Sequence, residues 1–188
     1  MNNYLIALGS NLAYGQFSRL DILEKALLFM PCLGITPTAI SEWWESKAFP
    51  VGSGSNYVNG VVEASSSLKP AELLICLKKI EVQFGRESSE RWSSRTLDLD
   101  LLACESLILP TKDTFMKWMT LPTTLQLKIM PNELILPHPR IQDRLFVLKP
   151  LFEVAPNWIH PILCKKPKEL IMQGVWMPQD LLKPFKDR

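Results

Sequence analysis

Hydrophobic and polar positions along the 188-residue chain follow two periods that alternate in a definite order. Residues 4–8 (YLIAL) form a short apolar run halted by Gly9-Ser10-Asn11, which reads as a strand and a turn. Phe17, Leu20, Leu23, Leu27 and Met30 then recur at helical spacing. Pro31 closes that helix because proline brings no N–H to the ladder. Residues 35–44 are rich in β-branched and aromatic side chains and predict a second strand, and residues 57–64 a third. Between them lies the Gly/Ser/Pro loop KAFPVGSGSN at 47–56. Pro70 opens a second helix with Glu72 in its first turn and Gly85 just past its end. Leu73, Leu77, Ile80 and Phe84 form its apolar stripe, and Glu81, four residues after Leu77, sits at the stripe's edge.

A charged loop at 86–94 leads into the fourth strand, where Leu97, Asp98, Leu99, Asp100 and Leu101 alternate. A strand of period two sends the leucines to one face and both aspartates to the other. Residues 110–132 show weak periodicity and three prolines and read as an insertion. Order resumes with a helix expected at about 141–148, and the tail from about 165 reads as loosely ordered. No internal repeat is evident. The order β-α-β-β-α-β over residues 4–102 predicts an α+β fold, a ferredoxin-like antiparallel sheet covered by helices. One domain spans residues 1–188, but such a fold hosts many chemistries and decides none of them.

Composition narrows the classes. Apolar residues make up 47% and charged residues 21% of the chain, a globular balance. The net charge of +2 is too small to argue for a nucleic-acid or membrane partner. Residues 1–109 carry 9 basic and 12 acidic side chains, and residues 110–188 carry 12 and 7, so the second half is the basic one. Cys32, Cys76, Cys104 and Cys164 form no C-x-x-C pair and, with only His138 and His160 beside them, argue against zinc. They read as free, mostly buried thiols of a reducing compartment. MNNYLIALGS lacks the basic start of a secretory signal, and no segment has the run of apolar residues that a membrane span requires. A soluble, cytoplasmic monomer is expected.

Two carboxylates on one strand face suit a hard cation such as Mg²⁺, which is usually held by one or two carboxylates together with substrate phosphates. Arg86, Arg91 and Arg95 lie just upstream, and guanidinium forks match phosphoryl oxygens. Metal and arginine together describe phosphoryl transfer, although no P-loop motif is present. On spacing alone a second reading stands beside this one, a solvated strand face paired with arginines. An RNA-binding module is a third, suggested by Trp43, Trp44 and the basic second half, but the aromatic signature of such sheets is missing.

Three separated motifs go further: YLIALGSN at 4–11, RWSSRTLDLDLL at 91–102 and LPHPRIQDRLFVLKPLFEVAP at 136–156, with a looser match in NYVNGVVE at 56–63. In that order they resemble 6-hydroxymethyl-7,8-dihydropterin pyrophosphokinase (HPPK), a family of folate biosynthesis whose fold is an α/β/α sandwich. The resemblance covers residues 4–109 and 133–160. It implies pyrophosphoryl transfer from ATP to the hydroxymethyl group of the pterin, with release of AMP. It further implies that Asp98 and Asp100 hold two Mg²⁺ ions and that Arg86 and Arg95 are catalytic and contact ATP. Glu81, His138 and Arg144 match nucleotide-contacting positions. Ser46, Phe49, Tyr57, Asn59, Trp92 and Phe146 match pterin-binding ones. ESSE between Arg86 and Arg91 looks one residue short and poor in basic residues, Glu133 replaces a common basic residue, and Pro139 follows His138 where an aromatic is common. These departures leave open a degenerate paralogue that binds pterin or nucleotide with weak activity.

Overall fold

The computed structural model describes residues 1–48, 54–85, 95–126 and 129–186, without the side chains of 123 and 126. Its elements are β1 (Asn2–Ser10), α1 (Arg19–Phe29), β2 (Thr36–Ile40), β3 (Trp44–Ser46), β4 (Tyr57–Ser66), α2 (Pro70–Gln83) and β5 (Asp98–Cys104). After these come α3 (Lys112–Met119), α4 (Thr123–Gln126), α5 (Leu145–Val154), α6 (Pro167–Gln173) and β6 (Lys183–Pro184). Local chemistry sets the helix ends. Ser18 and Asp21 cap α1 reciprocally, the Ser18 hydroxyl accepting from the Asp21 N–H and the Asp21 carboxylate from the Ser18 N–H. Pro70 starts α2, and Gly85 leaves it at φ +78°, where a side chain would run into the Tyr14 ring.

The strands form one sheet in the order β5-β1-β4-β3-β6, with β2 alongside the same edge of β4 as β3. β1 pairs antiparallel with both β4 and β5 and is the centre of the molecule. α1 and α2 cover one face, where Ile22, Leu23, Leu73, Leu77 and Ile80 pack with Leu97, Leu99 and Leu101. α5 and α6 cover part of the other, where Leu5, Val61, Ile141, Leu148, Leu151 and Leu170 pack. The α+β, ferredoxin-like order read from the sequence is therefore the observed one. The leucines of the LDLDL run enter the first core, and the aspartates lie on the α5 face.

Several local expectations change. The second strand divides into β2 and β3 because Trp43 packs over Gly60, where a side chain would collide with its ring. Across the break, Ser41 keeps the ladder closed, donating its N–H to the Val61 carbonyl and accepting the Val61 N–H on its hydroxyl. The expected insertion holds α3 and α4. α3 buries a single side chain, Phe115, which explains its faint periodicity. The tail read as loosely ordered is anchored by α6 through Pro167 and Leu170 and by β6 on the edge of β3. Of the four cysteines only Cys104 is buried, while Cys32 and Cys164 are exposed. Among the described residues no helix is long and apolar enough to cross a membrane.

Candidate active site

Three strand ends meet at one end of the sheet: β1 finishes there, and β4 and β5 begin. Gly9 is in register with Asn59 on one side and Asp98 on the other, so the three lie in one row across the sheet. One step down the same face, Ala7 stands between Val61 and Asp100. The two small residues of β1 make a low floor. A Cβ on Gly9 would rest 3.5 Å from the Tyr57 ring and 3.6 Å from Asn59 Oδ1.

Each aspartate on this face meets an arginine. Arg95 Nη1 donates to Asp98 Oδ1 at 2.6 Å, and Arg144 Nη1 to Asp100 Oδ2 at 3.3 Å. Burial pushes the Asp100 carboxyl up, but His138, Arg144, Lys78 and Arg95 together hold it down at about 2. Burial and the neighbouring Arg144 push His138 down to about 4 against the pull of Asp100, so its imidazole is neutral at pH 7. At that pH the arginines and Lys78 therefore keep Asp100 ionised. His138 Nδ1 accepts the Arg140 N–H at 3.2 Å, which places the ring proton on Nε2. Burial weakens Arg95 as a cation, and Asp98 more than offsets it, so its pKa is raised.

The described candidates for ring recognition cluster on the β4 side. Ser46 is buried, and its hydroxyl accepts from Asn59 Nδ2 at 2.9 Å; the same amide nitrogen lies 3.3 Å from the Trp44 carbonyl. With its nitrogen held there, Asn59 leaves Oδ1 over Gly9. Tyr57 flanks the same floor. Phe146, in the first turn of α5, is half-buried, and the Arg144 guanidinium lies 5.8 Å from its ring centre. Arg144 thus links Phe146 to Asp100. Phe49, Arg86 and Trp92 lie outside the described residues.

A family model described as 7,8-dihydro-6-hydroxymethylpterin-pyrophosphokinase (HPPK) matches residues 5–156. The chain belongs to the HPPK family. A 2-amino-4-hydroxy-6-hydroxymethyldihydropteridine pyrophosphokinase of Aquifex aeolicus is 33% identical over 98% of this chain and 96% of its own length. One of Synechocystis is 35% identical over 92% of this chain and 78% of its own. The fold of HPPK-DHPS from Plasmodium falciparum superposes with a TM-score of 0.66 at 15% identity, covering 92% of this chain; this chain spans 44% of that one.

The HPPK site has residues that the sequence reading did not single out. Asn11, 3% exposed, accepts the Arg95 N–H on Oδ1 at 2.7 Å, donates its own N–H to the Arg95 carbonyl, and donates Nδ2 to the Ser55 carbonyl. It clips the residue whose guanidinium meets Asp98 to the end of the loop before β4. An Asn closing a strand-turn was the available signal, because its side chain readily satisfies backbone groups nearby. Lys78 was also missed. Its ammonium lies 3.0 Å from Glu81 and among the charges that lower Asp100. Glu81 itself is 1% exposed at the junction of α2 and β5.

The donor set fits a hard divalent cation. Asp98 and Asp100 offer anionic oxygens from one face with their side chains 24% and 33% exposed. Among the described residues no group of three or more His, Cys, Asp or Glu could cage a metal. Two carboxylates completed by water and substrate phosphates is the arrangement that magnesium favours.

Proposed function

We propose that this protein transfers the β,γ-pyrophosphoryl group of ATP to the hydroxymethyl oxygen of 6-hydroxymethyl-7,8-dihydropterin, releasing AMP for folate synthesis in the cytoplasm as a monomer. The observation that carries the reading is the row Asn59–Gly9–Asp98. It sets an amide acceptor and a metal-type carboxylate about two strand spacings apart, roughly 10 Å, over a floor with no side chain between them. The flat pterin lies on that floor, its donor edge on Asn59 Oδ1 and its faces against Tyr57 and Phe146. Ser46 fixes the amide so that only its oxygen is offered. Phe49 and Trp92 complete the pterin side, and Arg86, His138 and Arg144 the nucleotide side.

Asp98 and Asp100 would hold two Mg²⁺ ions. Held there, they would supply charge neutralisation at the phosphates and so lower the barrier to attack on phosphorus. The hydroxymethyl oxygen forms a bond to the β-phosphorus, and the bond from that phosphorus to the α,β-bridging oxygen breaks, leaving AMP. The hydroxyl proton passes to solvent. Arg95 turns from Asp98 toward the migrating group, and Arg86 joins it; positioned guanidinium charge is what a loose phosphoryl-type transition state rewards. Neutral His138 donates Nε2–H without adding charge beside Asp100.

The test is direct. Protein, Mg-ATP and the pterin alcohol should yield AMP and pterin diphosphate in equal amounts. ADP as the nucleotide product contradicts pyrophosphoryl transfer. Binding of both substrates without AMP identifies a degenerate paralogue.

A further inference from the structure

The strand carrying both aspartates is last in the sheet order, so among the described residues one of its sides has no strand beside it. That side is not left open. The Leu99 N–H, between Asp98 and Asp100, donates to Glu81 Oε1 at 2.7 Å. Lys78 Nζ lies 3.0 Å from both Glu81 oxygens and 3.5 Å from the Leu99 carbonyl. Three residues on, the Leu102 carbonyl accepts the His138 N–H at 2.7 Å. Two side chains of α2 and one backbone group thus take the place of a neighbouring strand.

We infer that Glu81 is a positioning residue that holds the peptide between Asp98 and Asp100 and so sets the separation and aim of the two carboxylates. This rests on the functional reading above and assigns Glu81 a role distinct from nucleotide contact. Three physical points carry it. Glu81 is 1% exposed, and a buried carboxylate is tolerated only where strong donors meet it. A backbone N–H donating to an ionised acceptor makes one of the stronger bonds available to a strand edge. The leucines flanking that bond point into the α2 core while the aspartates point the other way, so Glu81 reaches the aspartates through the Leu99 backbone. An edge strand without such a partner frays from its end, and here the end is Asp98.

Three variants separate position from charge. Glu81→Ala removes the acceptor. Glu81→Gln keeps an oxygen within reach of Leu99 but drops the charge. Glu81→Asp keeps the charge but, one methylene shorter, withdraws the oxygen. Hydrogen exchange at the Leu99 amide should be slow in wild type and E81Q and markedly faster in E81A and E81D. Turnover should fall about tenfold or more in E81A and E81D, the scale of one orphaned N–H. The Mg²⁺ concentration for half-maximal rate should rise, while pterin binding measured without nucleotide stays within about twofold because its described groups, Ser46, Tyr57, Asn59 and Phe146, lie on β3, β4 and α5 rather than on β5. E81Q should recover most of the turnover. Impaired E81Q beside active E81D overturns the proposal in favour of a charge role. Unchanged Leu99 exchange in E81A, or unchanged turnover in both E81A and E81D, overturns it also. Wild-type protein that forms no AMP overturns the functional reading, and the positioning role with it; AMP formation by the wild type alongside any of the preceding results overturns the positioning role alone.

Discussion

The molecule has two regions in which buried polar chemistry is handled in opposite ways. At the meeting of β1, β4 and β5, charges of both signs stand on a half-open sheet face, each aspartate against an arginine. At the insertion, His160 is fully buried with the rings of Phe115 and Trp158 edge-on at 5.5 Å. Its Nδ1 accepts the N–H groups of Ile162 and Leu163, and burial pushes its pKa down to about 4. His138 is pushed to about the same value, but there Arg144 adds to burial and Asp100 opposes both. Equal pKa values thus arise from unlike surroundings. The first region holds charges that a ligand can exchange for its own; the second has sealed its polar group away to fasten the insertion to the body. Substitutions in the first should change turnover with the fold intact, and substitutions in the second the reverse.

The largest effect should come from Asp98→Ala or Asp100→Ala, a loss of about a thousandfold or more in AMP formation. The urea midpoint should barely move, and pterin affinity should stay near normal. Near-normal turnover in either variant would break the metal assignment. Phe115→Ala should lower stability by about 3 kcal/mol, at the low end for a buried phenylalanine, while turnover at 25 °C remains within about twofold. A turnover loss as large as that of the aspartates would erase the distinction between the regions.

Acid should act through the sealed histidine. Between about pH 4 and 6.5 the unfolded chain binds a proton that folded His160 refuses. Its contribution is whole above about pH 6.5 and is lost as pH falls toward 4, at most about 3 kcal/mol. His160→Asn keeps an acceptor for Ile162 and Leu163 and does not titrate, so the slope of urea stability against pH in that window should flatten. An unchanged slope would assign the acid sensitivity elsewhere. The smallest effect is Arg140→Ala, which removes a bond to the Met119 carbonyl at 2.9 Å and an exposed ion pair with Asp143. About 1 kcal/mol and faster proteolysis in the insertion are expected, with turnover unaltered.

What the sequence disclosed follows from how local each cause is. The LDLDL alternation revealed the two faces of β5 because strand geometry alone decides it. The edge position of Glu81 on the α2 stripe was legible too, but its partner was not, since nothing in the chain says that Leu99 lies opposite. The break between β2 and β3 depends on Trp43 meeting Gly60, a contact between residues seventeen positions apart. α3 hid itself by burying only Phe115. The sequence named the aspartates and Arg95, whose chemistry is written in their side chains. It passed over Asn11, whose work is done on the backbone of another residue.

Gly9 makes β1 a ruler. Asn59 and Asp98 are each one strand spacing from it, and that spacing is set by backbone hydrogen bonds rather than by any side chain. The gauge cannot be adjusted by substituting the residues at its ends. If the pterin seats as proposed, an acceptor whose hydroxyl arm is one carbon longer or shorter should bind with its ring in place and its oxygen misplaced, so that discrimination appears in kcat while affinity for the ring stays the same.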